Sequence, residues 1–330
     1  MVSCSTVAIL SALLGLILLR KYRESRWGYF KCKKSLQGKV FLVTGANSGI
    51  GKETVRELAR RDACVIMACR SMSSALSAIE DIRRTVQEGT LIPKQLDLAS
   101  FDSIRAFSNS VIRDFPKINV LINNAGVYVC SKEARVTTDG YELHFGVNHL
   151  GHFLLTNLLF DKLCESQPSR VVTVSSLLLQ SGKIDLENLN CERETPESLA
   201  EMRSNQKYCN SKLANLLFTR ELAKRTTTVD VTALSVCPGF SYTNLFRETP
   251  RSWYQYILFA PIVYFYMRSA NQGAQTVLLC AASDEIGKQH SGQLFRDCKV
   301  YKPKLRFPCS SATQSKLWDI STEMVGLRMK

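Results

Sequence analysis

The chain has 330 residues, of which 45% are hydrophobic and 22% charged, and its formal net charge is +14. This composition is ordinary for a globular protein and is sufficient for one large α/β domain or two small ones. The twelve cysteines are scattered without a Cys-x-x-Cys pair or a Cys/His cluster, which argues against a zinc site and a disulfide framework.

An uncharged stretch opens the chain from Met1 to Leu19, at the lower end of the about 17–25 residues that cross a bilayer. A basic run follows it, consisting of Arg20, Lys21, Arg23, Arg26, Lys31, Lys33 and Lys34. Because a positive flank stays on the cytosolic side, we predict an uncleaved signal-anchor helix over 1–19 and a basic juxtamembrane linker over 20–38. The alternative is a cleaved or peripheral segment. The endoplasmic reticulum is the first expected membrane and the mitochondrion the second.

The basic run accounts for much of the net charge, and its attraction to anionic membrane lipids explains that charge without a nucleic-acid partner. We therefore expect anionic lipids as partners and no nucleic-acid partner.

A glycine-rich turn lies between an apolar run over 39–44 and a predicted helix over 52–61. Strand, glycine turn and helix together are the context of a dinucleotide site, because glycines let the backbone approach a pyrophosphate at the helix N-terminus. The residues predicted to hold the cofactor here are Gly45, Asn47, Ser48, Gly49, Ile50 and Gly51.

Arg70 ends the next predicted strand, over 63–69, where this fold often has an acidic residue that binds a ribose 2′-hydroxyl. An arginine instead accommodates a 2′-phosphate, which predicts NADP(H) rather than NAD(H). The alternative is an ordinary charge at a strand end. Asp97 follows the strand over 91–96, and either hydrogen-bonds the adenine amine or caps the helix that starts near Ser100.

Further strands are predicted over 118–122, 171–174 and 231–237, with a helix over 73–88. Because strands alternate with helices, we predict one α/β domain with a doubly wound parallel sheet of the Rossmann type, right-handed crossovers and helices on both faces. Its expected bounds are 39–300, followed by a C-terminal extension over 301–330.

Tyr208 and Lys212 are four residues apart in a predicted helix and therefore share one of its faces. A nearby ammonium group is expected to lower the pKa of a phenol, which can then exchange a proton with a carbonyl oxygen while hydride arrives at the carbon. The pair alone is a weak signal, because an exposed helix face can carry it by chance.

The glycine turn, Asn123-Asn124-Ala125-Gly126, Ser175-Ser176, Tyr208-x-x-x-Lys212 and Pro238-Gly239 together resemble the short-chain dehydrogenase/reductase family over about 39–295. The stretches 148–159, 211–215 and 316–321 resemble its microsomal retinol dehydrogenases. The resemblance implies that the catalytic residues are Tyr208, Lys212, Ser176 and Asn148.

In these roles, Tyr208 exchanges the proton, Lys212 lowers its pKa and holds the nicotinamide ribose, Ser176 binds the substrate oxygen, and Asn148 supports a proton relay. The further cofactor-binding residues that the resemblance implies are Asn124, Gly126, Tyr208, Lys212, Pro238, Gly239 and Thr243. The family uses no metal. His144, His149 and His152 are accordingly expected to pack in the core or lie on the surface, although the last two have a spacing that could bind a metal.

The segment 253–267 carries no charge and is rich in aromatic residues. Within a predicted lid over 240–268, it could line an apolar pocket and dip into the bilayer, or it could form a core helix or the interface of a homodimer.

The sequence therefore predicts an NADPH-dependent oxidoreductase that interconverts retinal and retinol, or similar lipophilic aldehydes and alcohols, at a membrane. A lipid-aldehyde or steroid carbonyl reductase is the alternative with the same chemistry. A non-catalytic NADP-binding membrane scaffold is the alternative from another class.

Overall fold

The computed structural model describes residues 4–32, 34–129, 135–192, 205–241 and 264–328. Its strands in chain order are β1 (Val40–Thr44), β2 (Cys64–Cys69), β3 (Thr90–Gln95), β4 (Val120–Asn123), β5 (Ser169–Val174), β6 (Val231–Cys237), β7 (Leu294–Arg296) and β8 (Lys299–Val300). They form one sheet in the order β3-β2-β1-β4-β5-β6-β7-β8. All neighbours are parallel except β7 and β8.

The helices among the described residues are α1 (Cys4–Ser25), α2 (Gly49–Arg60), α3 (Met72–Arg83), α4 (Phe101–Asp114), α5 (Leu143–Phe145), α6 (Gly151–Leu158), α7 (Phe160–Glu165), α8 (Gln206–Arg225), α9 (Ala270–Ala282) and α10 (Ser311–Met324). A π-helical turn (Gly146–Leu150) joins α5 to α6, and 3-10 turns cover Leu177–Ser181 and Lys288–His290.

Successive residues of β1 pack into two different apolar cores, as expected for a strand that is covered on both faces. Leu42 belongs to the core that contains residues of α4, α6 and α8. Val43 belongs to the core on the other face, with residues of α2, α3 and α9. The predicted doubly wound parallel sheet with helices on both faces is therefore confirmed. Because β1 lies between β2 and β4, the strand order reverses there, where such sheets bind ligands.

The predicted anchor over 1–19 begins outside the described residues, and its described part is helical within α1. In the part of the chain that the structure describes, no helix combines the length and apolar character needed to cross a membrane. The prediction of a linker over 20–38 covers the last turns of α1 and a segment that contacts the domain. There, Arg61 Nε donates to the main-chain oxygen of Lys34 at 2.8 Å, and the amide of Phe30 donates to Gln275 Oε1 at 3.2 Å.

The residues after 300 also pack against the domain. Leu317 of α10 is buried, and the Trp318 ring stacks on that of Phe218 in α8 with 5.7 Å between centroids. His149 Nε2 lies 3.0 Å from Ser321 Oγ, which adds a buried polar contact between α10 and the π-helical turn. The C-terminal helix therefore supports the same side of the sheet as α8.

Candidate active site

Tyr208 lies in the first turn of α8, with 5% of its surface exposed, and its hydroxyl is near enough to the side chain of Ser176 for that side chain to lower its pKa. Ser176 directly follows the buried Ser175 beyond the end of β5, and its Oγ accepts from the amide of Leu178 at 3.3 Å. The structure therefore brings together the two hydroxyls to which proton exchange and substrate binding were assigned, at the carboxyl edge of the sheet.

Lys212 is one helical turn after Tyr208, and its ammonium nitrogen lies 5.7 Å from the centre of the Tyr208 ring. It is 3% exposed and donates to the main-chain oxygen of Val174 at 3.0 Å. Ser175 Oγ donates in turn to the main-chain oxygen of Lys212 at 2.7 Å. These two hydrogen bonds join α8 to the end of β5, at the two residues directly before Ser176.

Burial changes the proton affinities of both groups. It raises the pKa of Tyr208 well above the ordinary phenol value, and the side chain of Ser176 offsets only part of this change. Burial lowers the pKa of Lys212 to about 8. In this structure desolvation of the phenolate is the largest influence on the Tyr208 pKa and raises it, and the lowering effect of Lys212 stays a prediction.

Asn148 is fully buried in the π-helical turn and holds the chain that leaves β4. Its Oδ1 accepts from the amide of Val127 at 2.8 Å, while its Nδ2 donates to the oxygen of Val127 at 3.1 Å and to Ser211 Oγ at 3.0 Å. A Cβ atom added to Gly126 would lie 3.3 Å from Asn148 Oδ1 and 3.5 Å from Lys212 Nζ. Gly126 thus leaves room in front of the two groups assigned to the proton relay.

The glycine turn after β1 has the close backbone approach that a dinucleotide requires. A Cβ atom on Gly51 would lie 2.3 Å from the oxygen of Gly45 and 2.6 Å from Asn124 Nδ2, so a side chain there would collide with the turn. Gly45 and Gly49 have φ values of +64° and +53°, which favour glycine. Asn47 lies in the turn, Ser48 is the N-cap of α2, and Ile50 is the second residue of that helix. These features fit a cofactor pyrophosphate at the start of α2.

Arg70 is exposed directly after β2, the strand beside β1. Asp97 is half-buried after β3 and its Oδ1 accepts from the amide of Ala99 at 2.9 Å. The N-cap of α4 is Ser100, whose Oγ accepts from the amide of Ser103. Asp97 is therefore not the helix cap, and it forms the turn that leads to the cap.

Pro238 and Gly239 follow β6, and Gly239 has a φ of +80°. A Cβ atom there would lie 2.6 Å from the Arg268 guanidinium carbon. Thr243 lies outside the described residues, as does most of the segment 253–267 and of the predicted lid over 240–268.

His152 connects Thr44, the last residue of β1, to Asn148, a connection that sequence reasoning missed. Its Nδ1 lies 3.0 Å from the main-chain oxygen of Asn148, and its Nε2 lies 3.0 Å from Thr44 Oγ1. Thr44 Oγ1 accepts from the amides of Asn124 and Ala125 at 2.9 and 3.0 Å. His144, His149 and His152 are all buried, so the packing alternative is correct for these histidines and the surface alternative is wrong.

A buried acid–imidazole pair lies near Tyr208. Glu142 Oε1 is 2.7 Å from His144 Nδ1, and the amide of Val129 donates to His144 Nε2 at 3.0 Å. The rings of His144 and Tyr128 lie 6.2 and 5.0 Å from that of Tyr208, in edge-to-face arrangements. In the sequence only the short Glu-x-His spacing indicated this pair.

A dinucleotide turn and a Tyr–Ser–Lys cluster at one edge of a parallel sheet define a nicotinamide-dependent oxidoreductase. The model of the short chain dehydrogenase family matches residues 39–186. The chain belongs to the short-chain dehydrogenase/reductase family, and it is an oxidoreductase.

The similarity to relatives within this family extends along nearly the whole chain. The chain is similar to retinol dehydrogenase 12 of Mus musculus, with 43% identity over 90% of each chain. It is 42% identical to retinol dehydrogenase 14 of Mus musculus, over 88% of this chain and 87% of that protein. A crystal structure of a Mycobacterium paratuberculosis protein has a TM-score of 0.65 and 34% identity, covering 90% of this chain and 97% of the other.

Proposed function

We propose that this protein is an NADPH-dependent oxidoreductase that interconverts retinal and retinol, or similar lipophilic aldehydes and alcohols, at a membrane surface. The observation that carries the proposal is the position of Tyr208 near Ser176, beside the buried ammonium group of Lys212 at the end of β5. The retinoid part rests on the similarity to retinol dehydrogenases 12 and 14.

When bound, NADPH would supply the hydride, held by the glycine turn and by Arg70 at its 2′-phosphate. Ser176 would donate a hydrogen bond to the substrate oxygen, and Tyr208 would give its proton to that oxygen during reduction. The high proton affinity of the buried Tyr208 keeps it in the protonated form that reduction needs. In alcohol oxidation the same residues would act in reverse, with the phenolate form of Tyr208 accepting the proton.

Lys212 would resupply the proton to Tyr208, because its pKa of about 8 lies close to neutral pH. Asn148 would help to position this relay through the Gly126 turn, which faces both side chains. The proposed cofactor and catalytic sites would therefore lie side by side at the ends of the neighbouring strands β1, β4, β5 and β6.

An apolar surface near Ser176 supports a lipophilic substrate. Leu178, two residues after Ser176, is 36% exposed, and Phe240, after the Pro238–Gly239 turn, is 52% exposed. Exposed large apolar side chains around a polar reaction centre favour a ligand with a long apolar body.

Helix α1 supports the membrane part of the proposal. Val7, Leu14 and Leu18 are each more than half exposed, and basic residues lie at the end of the same helix. Apolar side chains would enter the acyl region of a bilayer, while the basic residues would remain near anionic headgroups.

The test is a turnover panel on detergent-solubilised protein with retinal, nonanal and a steroid ketone, each with NADPH and NADH. We expect the highest kcat/KM for retinal with NADPH. Preferred turnover of nonanal or of the steroid ketone would overturn the retinoid assignment, and absence of turnover with every pair would overturn the proposed activity. Sedimentation of the full chain with anionic vesicles tests the membrane part, which would be overturned if the protein stayed in the supernatant.

A further inference from the structure

The segment after α1 carries a tryptophan that contacts two guanidinium groups from distant parts of the chain. The guanidinium carbons of Arg20 and Arg268 lie over the Trp27 ring, 4.7 and 4.9 Å from its centre. Arg20 also donates to the main-chain oxygens of Tyr264 and Met267. The end of α1 is thereby joined to residues 264–268.

Arg268 connects this stack to the turn assigned to the cofactor. It is 5% exposed, its Nη2 lies 2.5 Å from Asp297 Oδ1, and its Nη1 donates to the oxygen of Pro238 at 3.5 Å. Its amide donates to the oxygen of Phe240 at 2.8 Å. The guanidinium group packs so closely on Gly239 that no Cβ atom would fit between them. The position of the Pro238–Gly239 turn therefore depends on where Arg268 is held.

Gly28, next to Trp27, packs tightly against the turn between β7 and β8. A Cβ atom on Gly28 would lie 2.1 Å from the main-chain oxygen of Asp297, the same residue that pairs with Arg268. The backbone beside Trp27 thus rests directly on the β7–β8 turn. The backbone contact of Gly28 with Asp297 and the contact of the Trp27 ring with the Arg268 guanidinium together hold Trp27 in place.

We propose that Trp27 and Arg268 are positioning residues for the Pro238–Gly239 turn, so that the segment after the N-terminal helix is part of the active-site scaffold. This inference rests on the proposed function, because the turn acts on catalysis only if it contacts the nicotinamide half of NADPH. The adenosine half is assigned to the glycine turn and Arg70, which Trp27 and Arg268 do not contact in the described structure. Loss of the stack should therefore impair hydride transfer and leave adenosine binding unchanged.

The experiment compares the full-length wild type with Trp27→Ala, Trp27→Phe and, as a matched control, Tyr29→Ala, whose ring is 62% exposed in the same segment. We measure kcat for retinal reduction with NADPH and the Kd of adenosine 2′,5′-bisphosphate, a probe for the adenosine half alone. In Trp27→Ala we expect kcat to fall about ten-fold or more, because small displacements of reacting groups are costly. The probe Kd should stay within about two-fold of wild type, and Trp27→Phe should recover most of the rate because a phenyl ring also binds cations.

Arg268→Lys and Gly28→Ala test the same contacts if Trp27→Ala does not fold, and each should lower kcat with an unchanged probe Kd. A kcat within two-fold of wild type in the folded variants would overturn the inference. Equal losses of kcat and probe affinity would overturn it too, since they indicate a general packing role. A wild type without NADPH-dependent turnover overturns the proposed function and with it this inference, whereas an active wild type with an equally active Trp27→Ala variant overturns the inference alone.

Discussion

The hydroxyl of Thr44 lies 3.0 Å from Nε2 of His152, and this contact joins the strand before the glycine turn to the helix after Asn148. His152 Nδ1 faces a main-chain oxygen and must carry the ring proton, so Nε2 accepts from the Thr44 hydroxyl. Burial lowers the pKa of His152 to about 4, which keeps this arrangement neutral at physiological pH.

Thr44→Val should lower the free energy of unfolding, because the amide of Ala125 would lose its bond to Thr44 Oγ1. The amide of Asn124 would lose the same acceptor but also donates to the main-chain oxygen of Ile122 at 3.0 Å. Each unpaired buried donor costs about 1–3 kcal/mol. Chemical denaturation of the purified variant measures the change. Thr54→Val is the matched control, because the hydroxyl of Thr54 is buried without a hydrogen-bond partner among the described residues. A loss as large in Thr54→Val would contradict the explanation.

Tyr208→Phe should lower kcat for reduction by about 10²–10⁴-fold, because it removes the proposed proton donor and keeps the ring. NADPH affinity should fall far less than kcat, since the glycine turn and Lys212 are untouched. Steady-state rates and NADPH titration by fluorescence give the two quantities. Tyr141→Phe is the control, since its hydroxyl donates to Met324 away from Ser176. An active Tyr208→Phe variant would refute the proton-donor role.

Arg70→Asp should shift preference from NADPH towards NADH, because a carboxylate repels a 2′-phosphate and can bind a 2′-hydroxyl. We expect the ratio of kcat/KM values for NADPH and NADH to fall by at least about ten-fold, which corresponds to one lost charge-assisted contact. Arg84→Asp, with the same charge change beyond the end of α3, serves as control. Unchanged KM values for both cofactors would show that Arg70 does not read the phosphate.

The buried ammonium of Lys212 should make stability depend on pH in a defined window. Its pKa is about 8 in the folded protein, against the ordinary 10.5. Between these values the unfolded chain binds a proton that the folded chain does not, so this residue's contribution to the free energy of unfolding rises with pH. Below about pH 8, both states are protonated and burial of the charge costs stability.

We therefore expect the difference in free energy of unfolding, wild type minus Lys212→Met, to increase between pH 8 and pH 10. Urea denaturation at intervals of half a pH unit measures this difference. The exposed Lys316→Met variant should show no such slope. A flat difference for Lys212→Met across the window would show that its pKa is not lowered.

The Glu142–His144 pair should support the loop that carries Tyr128 towards Tyr208. Burial raises the pKa of Glu142, but its hydrogen bonds with His144 and the amide of Phe145 outweigh this effect and leave the pKa lowered. Glu142→Gln would place an amide group opposite one of these donors and should cost about 1–3 kcal/mol of stability. The exposed Glu165→Gln is the control, and a neutral Glu142→Gln variant would show that the carboxylate is dispensable.

The strands were largely predictable, because fully buried parallel strands are short apolar runs. The run over 63–69 is strand β2 within one residue. The helix predicted over 73–88 ends at Arg83, since the Arg83 guanidinium binds the main-chain oxygens of Val86, Glu88 and Gly89. Gly89 then has a φ of +68°. That capping depends on the fold of the loop and leaves no periodic pattern in the sequence.

The helical spacing of Tyr208 and Lys212 could be read directly, because one turn of a helix places both on one face. Thr44 and His152 are 108 residues apart, and only the folded sheet and helix bring them into contact. The direction of the Tyr208 pKa change also needed the structure. Tyr128 and the elements around α8 bury the Tyr208 side chain, and this burial raises its pKa. No local sequence pattern indicates how far a side chain is shielded from water.

The seating of Trp27 and Gly28 on the β7–β8 turn has a practical consequence for protein production. Removal of the apolar helix is one route to a higher yield, and the first strand starts at Val40. A recombinant version shortened to that point would also lose the contacts of Trp27, Phe30 and Lys34 with the folded body. A cut just ahead of Trp27 would remove the apolar residues of α1 together with Arg20, and would keep the contacts of Trp27 with Arg268, of Phe30 with Gln275 and of Lys34 with Arg61.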